Sequence, residues 1–245
     1  MAEILIGTSG WHYGHWMGPF YPHRLARDQL LRHYSRSFST VELNSTFYRL
    51  PRPEIIDVWR EQTPDRFIFA CKASRFITHM KKLRDPHRSI EPFLAVVSRL
   101  GRKLGPILFQ LPPNLRNDAT RLSEFLDALP ACHRYAFEFC DETWWQKNTY
   151  ELLSQHKAAC CICELDVVPP HFEGTADFAY IRLHGPFDRY RGSYSEKALR
   201  SWARHILARC DNGQDVYCFF DNDEKAYAPM NAMQLKELVS RRGAM

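Results

Sequence analysis

Short apolar runs recur along the chain and alternate with segments in which apolar residues follow a helical period. Each run has about the length of a β-strand and is rich in β-branched or aromatic residues. Several are apolar on both faces, as the strands of a buried parallel sheet are. We therefore predict eight strands. They occupy residues 4–6, 40–43, 67–71, 107–111, 135–139, 160–165, 178–183 and 216–220.

Helical patterns fill most of the segments between the runs. Residues 118–129, for example, place Leu122, Phe125 and Leu126 on one face. The helix signal is poor around residues 165–178, where we expect an irregular crossover. The predicted helices cover residues 25–38, 53–60, 90–104, 118–129, 149–156 and 196–210, and a last helix follows Asn231.

Strand and helix alternate through a chain of 245 residues. Such alternation predicts a parallel sheet with helical crossovers, and eight units in this length predict one closed TIM-type (β/α)₈ barrel. A doubly wound open sheet is the structural alternative, but no Gly-x-Gly-x-x-Gly follows the first strand. Since the sequence has no internal repeat or Gly/Ser linker, we expect a single domain over residues 1–245.

Polar residues interrupt or end most of the predicted strands. A polar side chain in an apolar strand is costly unless it is satisfied, and residues two apart on a strand share a face. At the C-terminal mouth of a barrel, such residues can converge on one solvent-accessible pocket. We therefore predict a polar, partly cationic pocket there. The residues concerned are Glu42, Asn44, Lys72, Gln110, Glu138, Arg182, His184, Asp221 and Asn222.

Each of these residues also has a purely local interpretation. Glu42 could pair with Lys72 on the adjacent strand, and Arg182 could bridge to Glu138 in a structural network. His184 could orient the loop that follows it. These interpretations stay open at the level of the sequence.

Composition narrows the function only a little. Hydrophobic residues make up 45% and charged residues 25%, an ordinary globular balance. The net charge of +5 is spread along the chain, and the densest basic cluster, Lys81-Lys82-Leu83-Arg84, fits a solvated surface. A nucleic-acid partner is therefore only weakly supported.

The chain has eight cysteines, and most of them lie inside strand-like runs, where a thiol behaves as a small hydrophobe. Cys160 and Cys163 form a Cys-x-x-Cys within a predicted strand, so we assign them to the core. The N-terminus lacks a charged leader region and cleavage site, and no apolar stretch reaches the roughly 18 residues of a membrane span. We expect a cytoplasmic chain with reduced thiols and no membrane association.

The first functional hypothesis is an enzyme acting on a small polar molecule that carries phosphate or carboxylate. Lys72, Arg182 and His184 would bind the anion, and Glu42 and Glu138 would supply acid/base chemistry. The other substrate-binding residues would be Asn44, Gln110, Asn222 and Trp11.

The second hypothesis is a metal-dependent phosphodiesterase or nuclease. The positive charges of Lys72 and Arg182 would oppose metal binding, so we expect no metal ligand set and no cofactor. The ligands would be Glu42, Glu138, His184 and Asp221.

The third hypothesis is a non-catalytic protein that binds nucleic acid or another ligand through stacking aromatics. Aromatic residues in long loops more often pin the loop to the core. The candidates are Trp11, Trp16, Tyr21, Tyr48, Trp144 and Trp145.

Within the first hypothesis, Lys72 and Glu138 form the most consequential pair. Lys72 ends a strand two positions from the strand of Glu138 in the predicted barrel. An ammonium favours the ionised form of a nearby carboxyl, so Glu138 would be the base and Glu42 the acid.

An ordered set of motifs extends over nearly the whole chain. It includes Ile-Gly-Thr-Ser-Gly-Trp at 6–11, Val-Glu-Leu-Asn-Ser-Thr-Phe-Tyr at 41–48, Gly-Pro-Ile-Leu-Phe-Gln-Leu-Pro-Pro at 105–113 and Arg-Leu-His-Gly at 182–185. As a set these motifs resemble the family called domain of unknown function 72, also described as YecE-like. The resemblance implies a TIM-barrel fold and no established reaction.

The chain departs from the family pattern in two places. Phe139-Cys140-Asp141 follows Glu138, where the family usually has a basic pair. The last strand ends in Asp221-Asn222 instead of the usual Asn-Asn. Both changes make the expected pocket more acidic, which argues against a purely anion-binding site.

Overall fold

The computed structural model describes residues 2–164, 171–186 and 190–241. Nine strands lie within these ranges, and seven of the eight predicted runs are confirmed as single strands, with small shifts at their ends. The strands are β1 (Ile4–Thr8), β2 (Thr40–Leu43), β3 (Ile68–Lys72), β4 (Leu104–Gln110), β5 (Tyr135–Glu138), β6 (Ala159–Cys160), β7 (Ile162–Glu164), β8 (Phe178–Leu183) and β9 (Asp215–Phe220).

The prediction of one strand over residues 160–165 is wrong, because this run is divided between β6 and β7. β6 pairs with β5, and β7 pairs with β8. Cys161 separates them and donates its backbone N–H to the carbonyl of Phe137 at 2.8 Å. An uninterrupted apolar run contains no local signal for such a break. The end of the predicted strand, residue 165, lies outside the described residues.

The strands form two sheets, and each described strand pair in them is parallel. One sheet has the order β1-β9-β8-β7 and the other the order β2-β3-β4-β5-β6. The prediction of an α/β fold with parallel sheets is therefore confirmed. The eight-stranded closed barrel stays a prediction.

The chain divides into two compact units. The first unit comprises residues 1–42, 162–172 and 178–245, and the second comprises residues 43–161 and 173–177. The boundary at residue 42 lies within β2, so Glu42 belongs to the first unit and Lys72 to the second. The predicted single domain over residues 1–245 stays a prediction.

Eight α-helices lie in the described part of the chain, together with short 3₁₀ turns and one π-helical turn. The predicted helices are confirmed in position, and Pro53 opens its helix as expected. The α-helices are α1 (Leu30–Ser37), α2 (Ser45–Tyr48), α3 (Pro53–Gln62), α4 (Pro86–Val97), α5 (Ala119–Asp127), α6 (Lys147–Gln155), α7 (Glu196–Asp211) and α8 (Tyr227–Ser240).

Three predicted helices have boundaries that differ from the structure by several residues. α1 begins at Leu30, after a short 3₁₀ turn, instead of at residue 25. α4 begins at Pro86 and gives way to a 3₁₀ segment at Ser98, within which Gly101 has a positive φ of 58°. α8 begins at Tyr227, before Asn231. Pro229 lies in its first turn, where a helix needs no backbone N–H, so the proline does not mark the helix start.

The expected irregular crossover lies partly outside the described residues, at 165–170. No helix occurs in the described remainder, residues 171–177. The local structure of this remainder is therefore consistent with the weak helical pattern.

In the second unit, one face of the sheet packs on helix α5 and forms an aromatic core. The ring of Phe125 on α5 lies 5.0 Å from that of Phe109 and 6.2 Å from that of Phe137. Phe109 and Phe137 stack on each other at 5.2 Å. These contacts identify the helix-facing side of β4 and β5.

In the first unit, β1 lies close to the start of β2. A Cβ at Gly7 would lie 2.3 Å from the carbonyl oxygen of Thr40, so this approach requires glycine. The Tyr34 hydroxyl donates to the same carbonyl and accepts from the N–H of Thr8, each at 3.0 Å. α1 thereby ties the two strands together.

Candidate functional site

Strand register places three of the predicted site residues on one face of β3, β4 and β5. Lys72 pairs with Leu108, and Gln110, two residues further along β4, pairs with Glu138. Because alternate residues of a strand share a face, Lys72, Gln110 and Glu138 project from the side opposite the one that packs on α5. We call this set the Lys72–Gln110–Glu138 face.

This face combines a cation and an anion that are both almost completely removed from solvent. Lys72 is 8% exposed and Glu138 is 0% exposed. The Nε2 of Gln110 donates to Glu138 Oε1 at 2.5 Å, and the Lys72 ammonium lies 4.5 Å from the centroid of the Phe47 ring. Burying a charge is costly unless neighbouring groups interact favourably with it. The contacts with Gln110 and Phe47 provide such interactions for Glu138 and Lys72.

The short helix α2 is held against the end of β3. The Thr46 hydroxyl lies 2.7 Å from the carbonyl oxygen of Lys72 and 2.8 Å from that of Leu43. This position brings Phe47 over Lys72, and His79 from the next loop lies 5.0 Å from the Phe47 ring. Sequence reasoning missed Phe47 and His79 as site residues, although the densest basic cluster of the chain, residues 81–84, follows His79 closely.

Asn44 immediately precedes α2 and is half-buried. Its carbonyl accepts from the Phe47 N–H at 3.1 Å. Its side-chain Oδ1 is buried and, among the described residues, has no hydrogen-bond partner. Asn44 therefore supplies an acceptor next to the Lys72–Gln110–Glu138 face.

In the first unit, Arg182 on β8 joins two carboxylates. Its Nη2 donates to Glu42 Oε1 at 2.8 Å and to Asp221 Oδ2 at 2.9 Å. All three residues are buried, with Arg182 and Glu42 at 0% exposure. The guanidinium of Arg182 is engaged by two protein carboxylates, and its role in binding a substrate anion stays a prediction.

Glu42 accepts hydrogen bonds from three different side chains. Ser9 donates at 2.6 Å, Tyr180 at 2.7 Å, and Arg182 through both Nε and Nη2. These hydrogen bonds engage both carboxylate oxygens of Glu42. The role of Glu42 as the catalytic acid stays a prediction. The structure pairs Glu42 with Arg182, whereas the local interpretation of the sequence paired it with Lys72.

His184 lies beside Arg182 and Asp221 in the first unit. We call Glu42, Arg182, His184 and Asp221 the first-unit cluster. Its Nε2 lies 3.3 Å from Arg182 Nη1, and its Nδ1 lies 3.2 Å from Asp221 Oδ2. Because a guanidinium can only donate, this arrangement suits a neutral imidazole with its proton on Nδ1. His184 is 2% exposed, and its Nδ1 has no hydrogen bond of good geometry among the described residues. Its contact with an anion stays a prediction.

Asn222 points away from the first-unit cluster. Its Nδ2 donates to the carbonyl of Gly192 at 2.8 Å and to Oδ1 of Asn231 on α8 at 2.9 Å. The residue that faces Arg182 is its neighbour Asp221, because adjacent residues at a strand end project to opposite sides. Asn222 thus links the end of β9 to α8 through its Nδ2, while its Oδ1 is buried and has no hydrogen-bond partner among the described residues. Its substrate-binding role stays a prediction.

Trp11 lies in the long loop after β1, and it is 9% exposed. The Tyr21 hydroxyl donates to its backbone carbonyl at 2.6 Å. Trp16 and Tyr21 are both 0% exposed. The aromatic residues of this loop thus anchor it to the core, and the contact of Trp11 with a substrate stays a prediction.

Asp223 was not among the predicted site residues. It accepts from the indole of Trp16, and its Oδ2 lies 3.2 Å from Nε2 of His15. Burial is the main cause that raises the pKa of Asp223 to about 6, and the nearby charge of Asp221 adds to the rise. The sequence feature that indicates Asp223 as a site residue is its position two residues after Asp221, at the end of β9.

The two alternative functions are not favoured. Within the described ranges, no group of three or more His, Cys, Asp or Glu side chains is arranged to hold a metal ion, and Arg182 occupies the space between the carboxylates of Glu42 and Asp221. Of the aromatics proposed for stacking, Trp16, Tyr21 and Trp144 are buried. Tyr48, in contrast, is 73% exposed.

A cavity of 740 Å³ lies elsewhere, on the surfaces of α7 and α8. Lys197, Arg204, Leu207 and Leu238 are among its lining residues. None of the predicted site residues lines it.

Every helix in the described part of the chain is too short or too polar to span a lipid bilayer.

Comparisons with known proteins place these motifs in a family. A family model described as "Protein of unknown function DUF72" matches residues 5–245. UPF0759 protein YecE of Escherichia coli K12 is 34% identical over 249 residues, covering 92% of this chain and 89% of YecE. UPF0759 protein YunF of Bacillus subtilis 168 is 26% identical over 269 residues, covering 96% and 94%.

Solved structures agree with this assignment. A DUF72 family protein from Thermotoga maritima matches with a TM-score of 0.89 at 28% identity, over 97% of this chain and 99% of that one. A DUF72 family protein from Enterococcus faecalis, 18% identical, matches with a TM-score of 0.81 over 97% and 95%, which shows likeness of fold alone. The resemblance inferred from the motifs is confirmed: the chain belongs to the DUF72 family, whose function is not established.

Proposed function

We propose that this protein binds and chemically transforms a small polar molecule carrying a phosphate or carboxylate group, at the Lys72–Gln110–Glu138 face. The observation that carries the proposal is the strand register, which puts an ammonium, an amide and a carboxylate on one side of three adjacent strand ends. Ligands of parallel α/β sheets bind at the carboxyl ends of the strands.

Each residue of this face, together with Asn44, has its own chemical role in the proposed reaction. Lys72 supplies the positive charge for the anion, and the buried Oδ1 of Asn44 can accept a hydrogen bond from the ligand. Glu138 is the proton acceptor, and Gln110 orients it through the 2.5 Å hydrogen bond. A general base must come within hydrogen-bond reach of its substrate, and the hydrogen bond from Gln110 holds the Glu138 carboxylate in a fixed orientation for that contact.

Charge balance supports the choice of this face over the first-unit cluster. Arg182 is shared by two carboxylates there, so the cluster has no excess positive charge from these groups. At the Lys72–Gln110–Glu138 face, one ammonium accompanies one carboxylate. An incoming anion therefore meets a more favourable environment beside Lys72.

The test is calorimetric titration of the protein with inorganic phosphate and with acetate. Lys72→Met removes the proposed anion ligand while keeping the length of the side chain. Lys103→Met is a matched control, because Lys103 is also 8% exposed but donates to the carbonyls of Arg60 and Thr63 at 2.6 and 2.7 Å.

We expect wild type to bind at least one of the two anions and Lys72→Met to lose about tenfold or more in affinity, as removal of a charged hydrogen-bond donor does. Lys103→Met should reduce thermal stability and leave the affinity unchanged. Absence of anion binding in wild type, or equal affinity in Lys72→Met, would show the proposal to be wrong.

We further propose that the strands close into one (β/α)₈ barrel and that the protein is cytoplasmic. Alternating strands and helices with parallel pairing support the first. The eight free cysteines support the second. An experimental structure with an open sheet edge, or fractionation that places the protein outside the cytoplasm, would contradict them.

A further inference from the structure

The ring of Phe47 is the centre of a group of side chains at the end of β3. The Lys72 ammonium lies 4.5 Å from its centroid. The rings of His79 and Tyr48 each lie 5.0 Å from it, in edge-on arrangements. One aromatic side chain thus gathers a cation, an imidazole and a second aromatic ring, and we call this set the Phe47 cluster.

His79 is arranged as a neutral hydrogen-bond donor. Its Nδ1 lies 2.9 Å from the Thr78 hydroxyl oxygen, while the alternative acceptor for that hydroxyl, the Ser74 carbonyl, is 3.5 Å away. The shorter distance favours a hydroxyl that donates to Nδ1, which puts the imidazole proton on Nε2. Burial, followed by the charges of Lys72 and Arg75, lowers the pKa of His79.

The backbone that carries His79 is unusual. Phe76–Met80 forms a π-helical turn, and π-helical turns occur frequently at functional sites. Lys82, Leu83 and Asp85 then adopt positive φ values of 52°, 67° and 49°. Left-handed conformations of such residues are unfavourable and concentrate at binding sites. The strained backbone of this loop therefore supports a role in binding.

The cluster also presents apolar surface to solvent. Tyr48 is 73% exposed, and Phe76 and Met80, in the same turn as His79, are 42% and 65% exposed. The Lys81 ammonium lies 5.9 Å from the Phe76 ring. Exposed aromatic surface next to cationic side chains suits a ligand that is itself part aromatic and part anionic.

We propose that the ligand is a phosphate monoester of a planar aromatic group, whose phosphate binds Lys72 and the Nε2–H of His79 while its ring stacks on Tyr48. This inference rests on the proposed function and names the substrate class of the same site. Tyr48 is a specificity residue in this scheme, and His79 is an anion ligand.

The experiment compares phenyl phosphate with methyl phosphate, by calorimetric titration of wild type and variants. Both probes carry the same charged group, but only phenyl phosphate has a ring. Tyr48→Leu removes the stacking surface and keeps an exposed apolar side chain, whereas Tyr48→Phe keeps the ring. His79→Gln removes the imidazole, and the thermal melt of each variant verifies folding.

We expect wild type to bind phenyl phosphate about tenfold more tightly than methyl phosphate, as expected for one stacking contact. Tyr48→Leu should abolish this difference without changing the affinity for methyl phosphate, and Tyr48→Phe should preserve it. His79→Gln should weaken the binding of both probes.

The outcomes separate the two proposals. If both probes bind equally and both depend on Lys72, the anion site stands and the aromatic subsite is wrong. If phenyl phosphate is preferred but Tyr48→Leu keeps the preference, Tyr48 is not the stacking residue and the inference is overturned. If neither phosphate ester nor inorganic phosphate nor acetate binds, the proposed function fails as well.

Discussion

At the scale of single residues, neighbours decide what a buried carboxylate does. Glu42 and Glu138 are both at strand ends and both 0% exposed. Glu42 is held by a guanidinium and a phenol, from Arg182 and Tyr180, whereas Glu138 accepts from the neutral amide of Gln110. The same residue type is therefore a structural anchor in one unit and a candidate base in the other.

Substitution of the two glutamates should separate these roles. We expect Glu42→Gln to lower the free energy of unfolding by about 3–5 kcal/mol, because Arg182 loses one of its charged partners in a buried site. Glu138→Gln makes the identical change at an equally buried position. Its amide oxygen can still accept from Gln110 Nε2, so we expect it to lower the free energy of unfolding by only about 1 kcal/mol. Urea unfolding followed by tryptophan fluorescence measures both, and equal losses would contradict the assignment.

The carboxyl of Asp223 gives the protein a pH-dependent contribution to stability. Its pKa is raised to about 6 in the folded protein, against about 3.9 in an unfolded chain. As the pH falls, the Asp223 carboxyl therefore takes up its proton in the folded protein before it does so in the unfolded chain. Ionised Asp223 thus destabilises the fold at neutral pH, and this destabilisation disappears as the pH is lowered from about 6 to about 4.

Asp223→Asn removes this titration. We expect the free energy of unfolding of wild type to rise relative to that of Asp223→Asn as the pH is lowered through this window, because only wild type takes up the proton. Chemical denaturation of both proteins at several pH values between about 4 and 7 measures the difference. A difference that stays constant over the range would refute the assignment.

At the scale of elements, a pair of asparagines joins β9, α8 and the segment before α7. Asn231 Oδ1 accepts from Asn222 Nδ2 at 2.9 Å and from the Tyr194 N–H at 3.0 Å. Asn231 is 1% exposed. The loop that leads into α7 is thus held by a side chain from the following helix.

Loss of this link should loosen the loop locally. Asn231→Ala leaves two buried donors without their acceptor, which costs about 1–3 kcal/mol, and we expect faster hydrogen exchange at the Tyr194 amide. Met233→Ala on the same helix is the control, because Met233 is 43% exposed. Unchanged protection of Tyr194 in Asn231→Ala would exclude the proposed link.

At the scale of the whole molecule, the thiols report on folding. All eight cysteines are free, with Cys132 exposed, Cys140 and Cys210 half-buried, and the other five buried. Burial raises the pKa of Cys160 to about 12, which suppresses the reactive thiolate. The native protein should therefore differ sharply from the unfolded chain in thiol reactivity.

We expect one thiol, that of Cys132, to react rapidly with a disulfide reagent in the native protein, because it alone combines a free thiol with full exposure. Unfolding in denaturant should expose all eight. A reductant should leave the melting temperature unchanged. Rapid reaction of several native thiols, or a lower melting temperature after reduction, would contradict this description.

The sequence by itself determined the positions of the strands, their parallel α/β arrangement and the family. These properties depend on local periodicity and on the order of motifs, which are readable without knowledge of distant contacts. It also located polar residues at the ends of β3, β4 and β5, because period-two alternation assigns strand residues to faces.

Only the tertiary structure decided which polar groups are partners. Glu42 meets Arg182 across 140 residues of chain, Asp221 instead of Asn222 faces that pair, and the π-helical turn brings His79 to Phe47. These choices depend on strand register, loop path and the energy of pairing buried charges. None of these is encoded in a local pattern, so the sequence predicted the neighbourhood of the site but not the role of each residue in it.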